Sequence, residues 1–126
     1  MFNGIIFNTG RVQKIKKRKG GINLFIKSSI KLSQKNLGIS ISCDGVCLTL
    51  ISYKNQNLEF YLSNETLQKS KFRFIDIKDL INLELPIKFG EKISGHICQG
   101  HVDTVGALIS KKKFDKSLIY EFTISK

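Results

Sequence analysis

Apolar residues recur at every second position in short runs along this chain. Ile22, Leu24 and Ile26 form one run, and Leu37, Ile39 and Ile41 a second. Leu58, Phe60 and Leu62 form a third, and Ile81, Leu83 and Leu85 a fourth. Successive side chains of an extended strand point to opposite faces, so each run presents one apolar face. A helix would need its apolar residues three and four apart. Turn-forming residues separate the runs: Gly20-Gly21, Asp44-Gly45 and the segment 54–57. Many short strands joined by turns predict an all-β sandwich or a small barrel. One short helix is expected, capped by Ser63 or Asn64 and continued by Glu65, Thr66, Leu67, Gln68 and Lys69. Such a helix can plug the end of a barrel and aim its first N–H groups at the mouth.

At 126 residues the chain has room for one ordinary domain. Hydrophobic residues are 41% and charged residues 25%, which argues against disorder and against a fibrous chain. No run of about 18 apolar residues is present to span a membrane. The first ten residues lack the basic start and apolar stretch of a signal peptide. The formal charge is +11, from 21 Lys and Arg against 10 Asp and Glu. That balance brings nucleic acid into question. The chain is rich in both Lys and Ile, however, a bias that genome composition can produce. The run Lys14, Lys16, Lys17, Arg18 and Lys19 lacks interleaved aromatic residues, so it reads as a solvated hairpin turn. Nucleic acid and membrane are therefore not expected partners. Cys43, Cys47 and Cys98 are an odd set, which argues for a reducing cytoplasm over a disulfide framework. No second pair completes a zinc site with Cys43 and Cys47, and His96 and His101 around Cys98 do not suffice, so no metal is expected.

The end of the chain weakly repeats its beginning. At an offset of 96, Gly10 and Val12 match Gly106 and Leu108, and Lys16 and Lys17 match Lys112 and Lys113. Ile22, Leu24 and Ile26 match Leu118, Tyr120 and Phe122. Both stretches read as strand, basic turn, strand.

Four segments carry a family resemblance. The chain opens Met1-Phe2-Asn3-Gly4-Ile5-Ile6, and Asp44-Gly45-Val46-Cys47-Leu48-Thr49-Leu50 stands in its middle. Ser63-Asn64-Glu65-Thr66-Leu67 follows, and then Ser94-Gly95-His96-Ile97-Cys98-Gln99-Gly100-His101-Val102-Asp103. In this order and spacing they resemble the riboflavin synthases of the lumazine-binding, two-barrel type. Asn3 stands where that family usually has Thr, Asp44 where it has Asn, and Lys78 where it has Gly. The resemblance implies a six-stranded antiparallel Greek-key barrel over residues 1–97 with one short helix. Residues 98–126 would be the first hairpin of an incomplete second lumazine-binding repeat. It also implies a reaction without cofactor. One 6,7-dimethyl-8-ribityllumazine gives a four-carbon unit to another, yielding riboflavin and 5-amino-6-ribitylaminouracil. Holding two flat rings face to face can supply on the order of 7–11 kcal/mol of such a barrier. A base, a nucleophile and donors to the ring oxygens supply the rest.

The resemblance also nominates site residues. The strand with Cys47, Leu48 and Thr49 would line the ring pocket, Cys47 and Thr49 on one face. Ordinary inward residues of a barrel are the other reading of that pair. Tyr61, Leu62, Ser63, Asn64, Glu65 and Thr66 would pass the ligand and meet it largely through backbone groups. Glu65 could instead simply favour the helix dipole. Gly100, His101 and Val102 would close one side, and Gly4, Ile5 and Ile6 the other, with Phe2 covering the ring. Ser40, Cys47 and His101 are the candidates for proton transfer or addition, and His96 supports the barrel junction. The expected partners are ribityllumazine and riboflavin. A homo-oligomer is also expected: a trimer where a full second barrel exists, a dimer of paired first barrels where it does not. A non-catalytic lumazine- or riboflavin-binding protein, a truncated synthase fragment and an RNA-binding barrel are the alternatives.

Overall fold

The alternating runs fold into strands that share one interior. The structure, a computed structural model, describes residues 1–90, 93 and 95–124, so Ser94 of the last motif lies outside the described residues. The elements are β1 (Asn8–Arg18), β2 (Gly21–Ser28), β3 (Ser40–Cys43), β4 (Val46–Lys54), β5 (Asn57–Ser63), α1 (Asn64–Lys69) and β6 (Leu80–Glu84). The strands close in the order β1-β2-β5-β4-β3-β6, every neighbour antiparallel. Consecutive β3, β4 and β5 are joined by hairpins, while β2 reaches β3 by a long connection yet lies beside β5, which is a Greek key.

The core is the inward half of each alternation. Leu24, Ile26, Leu58, Phe60, Leu62, Ile81 and Leu83 are fully buried, with Val12, Ile41 and Leu50. Each such side chain contributes roughly 1.5–3 kcal/mol through burial. Two strands are shorter than the alternation predicts. Leu37 lies outside β3, just after a 3-10 turn (Gln34–Asn36), and is exposed. Gly38 adopts φ +86 and donates its N–H to the Leu50 carbonyl, which breaks the extended path before Ile39. Leu85 lies past the end of β6.

Turn chemistry fixes the hairpin ends. Asp44 and Gly45 both have positive φ, +47 and +86, and link Cys43 to its partner Val46 as a two-residue type I′ turn. Lys78, where the family usually has glycine, also sits in the left-handed region at φ +76. Its N–H donates to the Val12 carbonyl at 2.8 Å and its own carbonyl accepts from Arg11 Nη1 at 2.7 Å.

A second hairpin, β7 (Gly106–Phe114) and β8 (Ser117–Ile124), pairs with no other strand among the described residues. Its pairing follows that of β1 and β2 at an offset of 96: Gly10 faces Ser28 as Gly106 faces Ile124, and Arg18 faces Gly21 as Phe114 faces Ser117. Even the register shift falls at matching places, between Val12 and Lys14 and between Leu108 and Ser110. Burial differs completely. Val12, Leu24 and Ile26 are buried, whereas Leu108, Tyr120 and Phe122 are exposed.

Candidate functional site

The site is built on the outside of the barrel. Along β4, Val46, Leu48 and Leu50 point inward and are buried, so Cys47 and Thr49 share the outer face. The shared face matches the alternation, but it is not the barrel interior, which the leucines fill. Across β3, Ser42 faces Cys47 on one side and Glu84 of β6 on the other. This outward row is nevertheless covered: Ser42 is 4% exposed and Glu84 7%.

Two chain segments cross the row and pair with each other. Phe2 and Cys98 exchange both backbone hydrogen bonds, at 2.8 and 2.9 Å. At one end of this strap the Cys47 N–H donates to the Gly100 carbonyl at 2.8 Å. At the other, Glu84 Oε1 accepts from the N–H groups of Asn3 and Gly4 at 2.7 and 3.0 Å. Gly100 has φ +79, and a Cβ there would meet the Cys47 nitrogen at 3.0 Å. Only glycine permits this approach.

Where the strap meets α1 there is a cavity of about 310 Å3. It gathers six of the nominated residues: Cys47, Glu65, Thr66, Gly100, His101 and Val102. Val46, Lys69, Ser70 and Asp103 complete the lining. Helical spacing could have found Lys69 and Ser70, which lie four beyond Glu65 and Thr66. Asp103 simply follows the Gly100-His101-Val102 motif.

The helix is held by its own polar groups. Ser63 is the N-cap, and its Oγ accepts from the Thr66 N–H at 3.1 Å. The Thr66 carbonyl accepts from Ser70 Oγ at 2.6 Å, and the Asn64 N–H donates to Gly20 at 2.8 Å. The Thr66 backbone therefore already has partners, and its Oγ1 lies 3.1 Å from the Ser63 Oγ as part of the same cap. Lys69 Nζ donates to Glu65 Oε1 at 2.7 Å on the rim. That bond holds the Glu65 carboxyl below its ordinary range and the Lys69 ammonium above its own. In the core behind, burial pushes the Cys43 thiol far up, with Asp44 and Cys47 adding to it, so Cys43 is an inert thiol.

Other nominated residues lie apart. Leu48 and Leu62 are core side chains. Tyr61 is outward and exposed beside Gly20. Ser40 faces Thr49 across β3 and β4, farther along the outer face than Cys47. Phe2 is buried in the strap, Ile6 is exposed, and Ile5 lines a separate cleft of about 220 Å3 with Asn3 and Glu84. His96 is exposed. Among the described residues no three His, Cys, Asp or Glu side chains gather as a metal site.

The sequence pattern of the lumazine binding domain matches residues 3–86. The chain belongs to the lumazine-binding domain family. It is 38% identical to the riboflavin synthase of Buchnera aphidicola subsp. Baizongia pistaciae, over 90% of this chain and 54% of that protein. It is 32% identical to the riboflavin synthase of Brucella abortus, over 98% of this chain and 63% of that protein. The chain thus spans between half and two thirds of the length of these relatives. Its fold matches that of LumP complexed with 6,7-dimethyl-8-(1'-D-ribityl) lumazine, with a TM-score of 0.78 at 21% identity, covering all of this chain and 70% of that one. The same fold was solved for LumP with riboflavin. In this lumazine-binding barrel, the cavity combines apolar walls at Val46 and Val102 with a thiol, two hydroxyls, an imidazole and a mixed-charge rim. Such a lining suits a flat ring with polar edges.

Proposed function

We propose that the cavity between β4, α1 and residues 100–103 binds the ring of 6,7-dimethyl-8-ribityllumazine or riboflavin, and that the barrel serves riboflavin synthesis. The single observation that carries this reading is the convergence of Cys47, Thr66 and His101 on one cavity in a member of this family. In the reaction, one ribityllumazine transfers a four-carbon unit to another, giving riboflavin and 5-amino-6-ribitylaminouracil. The ring's 7-methyl group is acidic because the ring delocalises the charge left by deprotonation. Much of the work is then to hold two rings together. His101 is the candidate to take up the methyl proton. Cys47 is the candidate for transient addition, and Ser40 and Thr49 extend the polar track along the outer face.

Two rings need two sites. The residue-for-residue pairing of β7 and β8 with that of β1 and β2 supports reading residues 98–126 as the start of a second repeat. Turnover would then need either a second barrel or two first barrels paired about a two-fold axis, in a homo-oligomer. The free thiols fit a reducing cytoplasm. The second reading is a binder that holds lumazine or riboflavin without turnover. It is favoured by the single gathering of nominated residues among the described ones and by the LumP fold. Mixing the pure protein with ribityllumazine separates the two. Riboflavin formation supports the synthase. A fluorescence shift without product supports the binder, and no interaction at all refutes both.

A further inference from the structure

Glu84 stands out as a buried carboxylate away from the cavity. It ends β6, faces outward and is 7% exposed. Burying a carboxylate is costly unless hydrogen bonds compensate it. Here Oε1 accepts from the Asn3 and Gly4 N–H groups at 2.7 and 3.0 Å, and Oε2 from Gly4 at 3.2 Å. Hydrogen bonds to an ionised acceptor are roughly twice as strong as neutral ones. They tie the segment at residues 3 and 4 to the end of β6.

What the tied segment does is decided by its partner. Phe2 is bridged to Cys98 by two backbone bonds, and two residues later Gly100 docks on Cys47 and begins the cavity wall. An unbroken path therefore runs from the Glu84 carboxylate through Asn3 and Phe2 to Cys98, Gly100 and His101. Resting on the ligand reading above, we propose that Glu84 is a positioning residue for the ligand site: its carboxylate anchors the paired strap that holds residues 100–102 against β4. Released from Glu84, the Phe2–Cys98 pair loses its anchor and opens more often. Residues 100–102 then depend on the Cys47–Gly100 bond and the packing of Val102. A carboxylate suits this task because both of its oxygens accept, whereas the amide of glutamine offers one acceptor and one donor.

The test compares the parent chain of 126 residues with Glu84→Gln and Asn3→Pro. Asn3→Pro removes one of the donated N–H groups without touching the barrel. Three quantities are read: riboflavin affinity by fluorescence, Tm, and amide hydrogen exchange by NMR. The expected result for both variants is about tenfold weaker riboflavin binding. Exchange at the Cys98 N–H, which does not touch Glu84, should be faster, while β4 and β5 exchange as in the parent. Unchanged exchange at Cys98 overturns the proposal. So does a loss of affinity in Glu84→Gln that accompanies a fall in Tm and is not reproduced by Asn3→Pro, because Glu84 would then be structural only. If the parent itself does not bind riboflavin, the ligand reading fails, and exchange at Cys98 alone decides whether Glu84 is the anchor.

Discussion

Replacing Gly100 by alanine should detach the wall of the cavity and leave the barrel standing. Gly100 has φ +79, a conformation that costs an L-residue roughly 1–2 kcal/mol. The new Cβ would also lie 2.9 Å from the Cys47 Cβ, 3.0 Å from the Cys47 nitrogen and 3.2 Å from the Gly45 carbonyl oxygen. Two of those atoms are backbone of β4 and its turn, so none can swing aside as a flexible side chain would. The segment must lift instead, weakening the 2.8 Å bond from the Cys47 N–H to Gly100. That bond is worth about 1 kcal/mol net. Together these terms oppose docking by about 2–3 kcal/mol, or about 30- to 150-fold in riboflavin affinity. Gly4→Ala is the control. Its φ is a similar +77, but the added Cβ meets only Cys98 Sγ, at 4.0 Å. It carries the backbone cost alone, about 1–2 kcal/mol, and should lose about 5- to 30-fold. Riboflavin is titrated into each protein by fluorescence, with Tm measured alongside. If Gly100→Ala binds like the parent, residues 100–102 do not form the wall of the site.

Lys78→Gly relieves a left-handed backbone at φ +76. Set against the extra freedom of glycine in the unfolded chain, it should stabilise the barrel by about 0.5–1 kcal/mol. Calorimetry should show a higher Tm, and a lower one would mean that the Lys78 side chain matters more than its backbone. Thr49→Val keeps the shape of the outer face and removes one hydroxyl, so riboflavin binding should weaken by about 1–3 kcal/mol if that hydroxyl meets the ligand. Unchanged affinity would confine the ligand to the Cys47 end of this strand. Limited trypsin digestion should cut first at Lys111, Lys112, Lys113 or Lys116, because β7 and β8 lean on no other strand among the described residues. A barrel cut before this hairpin in a monomer would show that something covers the hairpin.

Much of the barrel was legible because strand burial has period two. Leu58, Phe60 and Leu62 could be assigned to one face without knowing the partner strands, and all three are core. Ser63 and the short helix followed from local capping chemistry. The same reasoning failed at Leu37, because a glycine in the left-handed region delays the start of the strand and alternation does not record φ. For the candidate site, motif order was what nominated the six residues that line one cavity. Periodicity alone placed Cys47 and Thr49 together but was silent on which side they face.

By itself, then, the sequence determined which residues alternate, where the chain turns and which motifs stand in which order, since each depends on neighbours a few positions apart. Only the tertiary structure decided that Leu48 and Leu50 take the interior and leave Cys47 outside. It alone brought Phe2 to Cys98, Gly100 to Cys47 and Asn3 to Glu84. Those contacts join residues roughly fifty to a hundred positions apart in the chain. No local propensity encodes them, because they form only once barrel closure has placed β3, β4 and β6 side by side.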